Sequence, residues 1–223
     1  MTFEAVIFDC DGVLVDSEAL GLSESAAYLR SRGLDWSEAA LVREFTGLRD
    51  DVFAERLSAA YADANDGAAP PADFFEGLVA ARRRRKDDLT PVAGAEEAIR
   101  AAPGAIAVAS SSRGVFLESK LRRTGLYDLL APHIYSAERV AHGKPAPDIF
   151  LYAADRLGVA PGRCVVLEDS ENGVVAGRAA GMTVWGFTGG GHCFDGHGDR
   201  LSAAGAQWVA PDFAAVTARF AAR

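Results

Sequence analysis

The stretch Ala5-Val6-Ile7-Phe8-Asp9-Cys10-Asp11-Gly12 decides how the rest of the chain is read. Four apolar residues in a row fit a strand buried on both faces, and the carboxylates arrive where that strand stops. Alternate residues of an extended segment project to the same side, so Asp9 and Asp11 face one pocket while Cys10 turns the other way, into the core. Two like charges this close raise each other's pKa unless a cation or a bound proton offsets them. Read alone, the pair also fits a polar strand end that caps the next helix.

Outward from this strand the pattern changes twice. Between residues 17 and 88 the apolar spacing is helical, with helices expected over 17–32, 37–45, 50–62 and 72–86. Gly33, Gly47 and the segment from Asn65 to Pro71 break them, since Pro70 and Pro71 cannot sit inside a helix. After Pro91, short apolar runs at 105–109, 133–135, 164–167, 183–187 and 208–210 alternate with helical stretches at 94–102, 113–124, 147–157 and 171–180. That alternation predicts an α/β fold, a doubly wound parallel sheet of the Rossmann-like kind. The first strand belongs to this sheet, so the helical block reads as an insertion. Residues 1–15 and 89–223 form the expected core domain, and residues 16–88 an inserted four-helix cap domain.

The chain has 223 residues, 49% of them hydrophobic, and a formal net charge of -8. An acidic surface argues against nucleic acid as a partner and means that an anionic substrate needs locally placed cations. No apolar run is long enough to span a bilayer, and a strand starting near residue 4 leaves no room for a signal peptide, so a cytoplasmic protein without a membrane partner is expected. A monomer or small homo-oligomer fits this composition. Cys10, Cys164 and Cys193 are odd in number and widely spaced, which fits reduced thiols. The basic run from Arg82 to Lys86 falls where a helix ends and reads as a solvated helix terminus.

In open parallel sheets the ligand lies beyond the carboxyl ends of the strands. The strand ending at Ala109 runs into Ser110, Ser111 and Ser112 before a helix, offering hydroxyls and unpaired N–H groups to an anion. Lys144 sits between Gly143 and Pro145 in a chain with 20 arginines and only three lysines, and a compact ammonium suits a phosphoryl group. The strand ending at Leu167 runs into a second acidic pair, Glu168 and Asp169, followed by Ser170. Carboxylates from neighbouring strands suit Mg²⁺, which would let Asp9, Asp11, Glu168 and Asp169 sit together ionised and would draw in a phosphate.

The ordered set of Asp9, Cys10, Asp11, Gly12, Val13, Leu14, Val15, Asp16 and Ser17, then Ser110, Lys144, and Glu168, Asp169, Ser170 resembles the haloacid dehalogenase superfamily, specifically its β-phosphoglucomutase-like phosphatases with a helical cap. The resemblance spans nearly the whole chain. It implies that Asp9 is a nucleophile forming an aspartyl-phosphate, and that Asp11 is the general acid and then base, its backbone carbonyl joining the metal shell. It also implies that Ser110 and Lys144 hold the phosphoryl oxygens and that Asp169, with Glu168 close by, completes the Mg²⁺ site. The implied cap closes on hinges near Val15 to Ser17 and Asp88 to Pro91 and reads the substrate, a small phosphorylated metabolite of the sugar or sugar-acid type.

Departures from relatives choose among reactions. The mutase places a histidine where this chain has Gly21, so hydrolysis is expected and phosphomutase is the alternative. Phosphonate-cleaving relatives need a cap lysine, yet none occurs from Ser17 until Lys86, and dehalogenases lack the acid at the Asp11 position. A phospho-receiver shares the strand-end acids but lacks the large helical insertion, and a non-catalytic sugar-phosphate binder would not need every catalytic position filled. Candidate substrate-binding residues are Glu18, Arg49, Ser111 and Arg113. The loop from Thr188 to His197, with Gly189, Gly190, Gly191, His192, Cys193 and His197, reads as a mobile loop near the pocket, its donors too few and irregular for a zinc motif.

Overall fold

The structure, a computed structural model, describes residues 3–45, Leu48 and residues 50–222. In chain order the elements are β1 (Ala5–Phe8), α1 (Ser17–Leu20), α2 (Leu22–Ser31), α3 (Glu38–Phe45), α4 (Asp50–Ala64), α5 (Phe74–Arg83) and α6 (Ala95–Ala101). They continue as β2 (Ala105–Ser110), α7 (Gly114–Arg123), α8 (Tyr127–Leu130), β3 (Ile134–Ser136), α9 (Asp148–Leu157), β4 (Cys164–Glu168), α10 (Glu171–Ala179), β5 (Thr183–Phe187), α11 (His197–Ala203), β6 (Trp208–Ala210) and α12 (Phe213–Ala221).

All the strand pairs are parallel, in the order β3-β2-β1-β4-β5-β6. From β1 the chain winds outward through β2 to β3, then returns across β1 to β4 and winds the other way. The order therefore reverses between β1 and β4, the place where an open α/β sheet leaves a crevice above its carboxyl edge. Phe8 is in register with both Val108 and Leu167, and Asp9 N–H donates to the Leu167 carbonyl at 3.0 Å. That register delivers the acids after β1 and β4 to the same level.

Alternation along β1 sorts the core into two layers. Val6 and Phe8 pack against Ala98 and Ile99 of α6, Leu117 and Leu121 of α7, and Phe213 and Val216 of α12. Ala5 and Ile7 pack on the opposite face with Ile149 and Phe150 of α9, Val174 of α10 and Leu201 of α11. A strand covered by helices on both faces has no solvated side, which is why β1 reads as an unbroken apolar run. Helices α8, α11 and α12 were not legible from periodicity. The first two are short, and α12 lies at the end of the chain beyond the last strand assigned.

Helices α2 to α5 enclose a third apolar cluster of their own, built on Leu29, Leu34, Leu41, Leu57, Phe74 and Leu78. The first expected helix, 17–32, is in fact two, because Gly21 caps α1 and begins α2. Arg32 ties to Asp73 at 2.8 Å, joining the end of α2 to the start of α5. The two chain crossings between this block and the sheet run side by side. Val15 bridges Pro91, Asp16 N–H donates to Thr90, and Val92 N–H donates to Leu14. Among the described residues no helix is long and apolar enough to cross a membrane.

Phe74 is wholly buried, with ring centroids 6.0 Å from Tyr28, 5.0 Å from Tyr61 and 5.2 Å from Phe75. Phe74→Ala is expected to cost about 3–5 kcal/mol through lost burial and a residual cavity. Urea denaturation followed by hydrogen exchange will check this, with lost protection concentrated in α2, α4 and α5; an unchanged midpoint would show that the ring does not anchor the block.

Candidate active site

The chain turns sharply after β1 because Gly12 takes a positive φ of 79°, and a Cβ there would lie 2.1 Å from Asp169 Oδ2. Only glycine lets this turn press against the end of β4. As a result Asp9, Asp11, Ser110, Lys144, Glu168 and Asp169 all line one cleft of about 780 Å³ between the sheet edge and the helical block.

Lys144 is the hub of the floor. Its Nζ lies 2.5 Å from Asp9 Oδ1 and 2.5 Å from Glu168 Oε1, and 4.9 Å from the centre of the Phe150 ring. All three charged groups are buried, so each depends on the others for compensation. Burial opposes the ammonium, but Asp9 and Glu168 outweigh it and hold Lys144 protonated. Burial pushes the Asp9 carboxyl well above its ordinary range; Lys144 counters this, and Glu168, Asp169 and Asp11 add to it. The other oxygen of Glu168 accepts from both the N–H and the hydroxyl of Ser170, each at 2.9 Å. Both oxygens of Glu168 are therefore engaged by protein donors.

Asp11 occupies a separate network. Oδ2 accepts from Ser112 Oγ at 2.7 Å, while Ser17 Oγ and Lys120 Nζ both reach Oδ1; Lys120 also lies 3.0 Å from Ser112 Oγ. Burial pushes this carboxyl up, but Lys120 and the two serine hydroxyls more than offset it and bring its pKa down to about 2. Lys120 was not singled out from sequence as a site residue. It sits at the end of the second turn of α7, and only the packing of that helix against the sheet returns its side chain to the strand ends. The scarcity of lysine was the signal available.

The expected anion seat after β2 is partly filled by the protein itself. Ser112 N–H donates to Ser110 Oγ at 3.1 Å, and Gly114 N–H, the first of α7, donates to Glu138 at 2.8 Å. These two N–H groups are paired, contrary to the expectation that they stand open. Ser110 remains buried on the cleft floor and Ser111 lines the cleft. Arg113 also lines it, but is more than half exposed and pairs with Glu138 at 3.1 Å. Glu18 faces the cleft and lies 3.6 Å from Arg82. Arg49 lies outside the described residues. The roof is apolar, formed by Leu22, Phe45, Phe53 and Val79 among others, and among the described residues Glu18 and Arg82 are the charged side chains that the helical block adds.

The loop after β5 is docked on the site rather than loose over it. His192 Nε2 lies 2.8 Å from Asp169 Oδ2, and Gly191 N–H donates to Asp16 Oδ1 at 2.9 Å. The His192 contact is an ion pair without the alignment of a hydrogen bond, so Oδ2 keeps unused lone-pair capacity. Burial opposes a charged ring at His192, but Asp169 and Cys193 raise its pKa to about 11; burial likewise pushes the Asp169 carboxyl up. One donor atom from each of His192, Cys193 and His197 lies within 4.8 Å of the others, a convergence that their irregular sequence spacing did not reveal.

A divalent cation fits this donor set. On the floor Asp9, Asp11, Glu168 and Asp169 meet Lys120 and Lys144, with His192 beside Asp169, and one oxygen of Asp169 lacks an aligned partner. Hard carboxylate oxygens suit Mg²⁺. For the metal-free protein, Asp11 contributes stability that is fully present above about pH 4 and is lost as pH falls through about 2. Lys120→Met raises the folded-state pKa of Asp11 and removes on the order of 2 kcal/mol of that contribution at neutral pH. In EDTA, circular dichroism should show acid unfolding of the variant at higher pH than for the parent; coincident curves would show that Lys120 does not hold Asp11 ionised.

Residues 3–181 match the model of a family described as haloacid dehalogenase-like hydrolase. The chain is 33% identical over 185 residues to hexitol phosphatase B of Escherichia coli (strain K12), covering 80% of each chain. It is 31% identical over 183 residues to the fructose-1-phosphate phosphatase YqaB of the same strain, covering 81% of this chain and 94% of that one. Among solved structures, a haloacid dehalogenase family hydrolase from Deinococcus radiodurans R1, with bound phosphate and sodium, superposes with a TM-score of 0.81 at 38% identity, covering 98% of this chain and 95% of that one.

Proposed function

The chain belongs to the haloacid dehalogenase-like hydrolase family, and from that premise we propose that it is a Mg²⁺-dependent phosphatase acting on a small phosphorylated sugar or sugar acid through an aspartyl-phosphate on Asp9. The observation that carries this reading is the position of Asp9 at the β1/β4 switch point, 2.5 Å from the Lys144 ammonium and in one cleft with Asp169. A nucleophilic carboxylate must be ionised, and burial among other acids works against that. Lys144 supplies part of the compensation. Mg²⁺ held by the carboxylates of Asp9 and Asp169 and by the backbone carbonyl of Asp11 would supply the rest and attract the phosphate.

In this reading an oxygen of Asp9 forms a bond to phosphorus as the ester P–O bond breaks, and the departing alkoxide takes a proton from Asp11. Water then attacks the aspartyl-phosphate, giving its proton to Asp11 and releasing inorganic phosphate and free Asp9. Lys144 and Ser110 hold the phosphoryl oxygens while charge redistributes, and Glu168 holds Lys144 in place. Held ionised by Lys120, Ser17 and Ser112, Asp11 is prepared to accept a proton. To donate one it must leave that network, and Ser17 belongs to α1, so a movement of the helical block changes the field around Asp11. We assign residues 16–88 the role of a cap that moves in this way over the core formed by residues 1–15 and 89–223.

Among the described residues Glu18, Arg82, Ser111 and Arg113 are polar groups of the cleft that we assign to the alcohol part of the substrate, and the apolar roof suits the C–H faces of a sugar. Gly21 offers no side chain to an intermediate that must be shielded and turned over, which supports hydrolysis over phosphomutase chemistry.

Phosphate release should be screened over sugar phosphates, polyol phosphates, sugar-acid phosphates and glycolate phosphate, with Mg²⁺ and with EDTA. Continuous release that requires Mg²⁺ is the expected outcome, abolished in Asp9→Asn and reduced on the order of 10²- to 10⁴-fold in Asp11→Asn. A single stoichiometric phosphorylation without turnover would indicate a receiver module, and full activity in Asp9→Asn would falsify the nucleophile assignment.

A further inference from the structure

We propose that the loop from Gly189 to His197 is a clamp that positions Asp169 for the divalent cation, with His192 and His197 as its two positioning residues. This rests on the reading above that Asp169 holds the cation. The two rings grip different parts of the same residue. His192 Nε2 lies 2.8 Å from the side-chain Oδ2, and His197 Nε2 donates to the backbone carbonyl at 2.6 Å. Both rings are buried, and the Nδ1 of each has no hydrogen-bond partner, so Asp169 is the oxygen partner around which both are arranged. A carboxylate held through one oxygen and through its own backbone loses the freedom to rotate away when the site empties.

The loop reaches that position because it has almost no side chains on its approach. A Cβ on Gly190 would lie 2.5 Å from the Gly12 carbonyl, and one on Gly191 would lie 2.7 Å from Asp16 Oδ2. The glycines thus let the backbone press directly on the turn after β1, where Gly191 N–H is fixed by Asp16. His197 is the first residue of α11, and Leu201 of that helix is wholly buried under the sheet, which anchors the far end of the loop. The clamp therefore joins the turn after β1, the end of β4 and α11 into one rigid unit. Cys193 converges on the same rings, its Sγ 3.8 Å from His192 Nε2, so the three side chains could instead hold a transition metal themselves. Both Nε2 atoms face Asp169 oxygens, as the clamp requires, and the unpartnered Nδ1 atoms are the ones such a metal would take.

The test is Mg²⁺ affinity of EDTA-stripped protein by isothermal titration calorimetry, independent of turnover. His192→Ala should weaken binding roughly 10- to 100-fold, His192→Gln should recover part of the loss by placing a polar N–H group of similar reach beside Oδ2, and the Mg²⁺ concentration giving half-maximal activity should rise in parallel. If His192→Ala fails to fold, histidine-labelled ¹⁵N NMR of the parent serves instead: the Nε2 signals of both rings should shift on adding Mg²⁺. Unchanged affinity in a folded His192→Ala, or ring signals indifferent to Mg²⁺, overturns the clamp while leaving the phosphatase reading standing. Parent protein that turns over substrate without binding any divalent cation overturns both. Stoichiometric zinc retained through EDTA dialysis, and lost in Cys193→Ser, overturns the clamp by making the rings ligands.

Discussion

Carboxylates crowded at one sheet edge repel each other, and the structure resolves that repulsion with buried ammonium groups. Asp9, Asp11, Glu168 and Asp169 meet at the point where strand order reverses, and Lys144 and Lys120 arrive from different elements to compensate them. In a low-dielectric site an uncompensated charge is costly, so the acids and their partners depend on each other for occupancy. His192 stands beside Asp169 from the loop after β5, so each acid of the floor has a cationic partner or shares one.

That same balance divides the floor into parts with different duties. Lys144 and Glu168 form a pair beside Asp9, with Glu168 locked by Ser170. Asp11 is held by groups from three elements, Ser17 from α1, Ser112 from the loop after β2, and Lys120 from α7. One of these belongs to the helical block, so the protonation state of Asp11 is sensitive to how that block sits. Asp169 answers instead to the loop after β5. Each acid therefore has its own tuning contacts, and a shared cleft does not mean a shared environment.

The apolar clusters explain how such a site survives. The sheet is sealed by helices on both faces, and α2 to α5 keep a separate cluster, so the cleft between them can be polar at its floor without weakening either core. The roof contributes mainly apolar surface, with Glu18 and Arg82 as the charged side chains it adds among the described residues.

Much of this was legible in the chain itself. The apolar run before Asp9, the serines after β2, Lys144 between glycine and proline, and the acids after β4 follow from local pattern, because strand ends and helix starts are set by neighbours in sequence. The break at Gly21, the pairing of the Ser112 and Gly114 N–H groups, the return of Lys120 to Asp11, and the docking of His192 and His197 on Asp169 were not legible. Those depend on which surface of a helix faces the sheet and on how closely a glycine loop approaches another turn. The sequence by itself determined which residues stand at the strand ends and so the chemistry available; the tertiary structure alone decided which cations meet which carboxylates. Two of those meetings, Lys120 with Asp11 and Lys144 with Asp9, join residues more than a hundred positions apart, and only packing brings them within a hydrogen bond of one another.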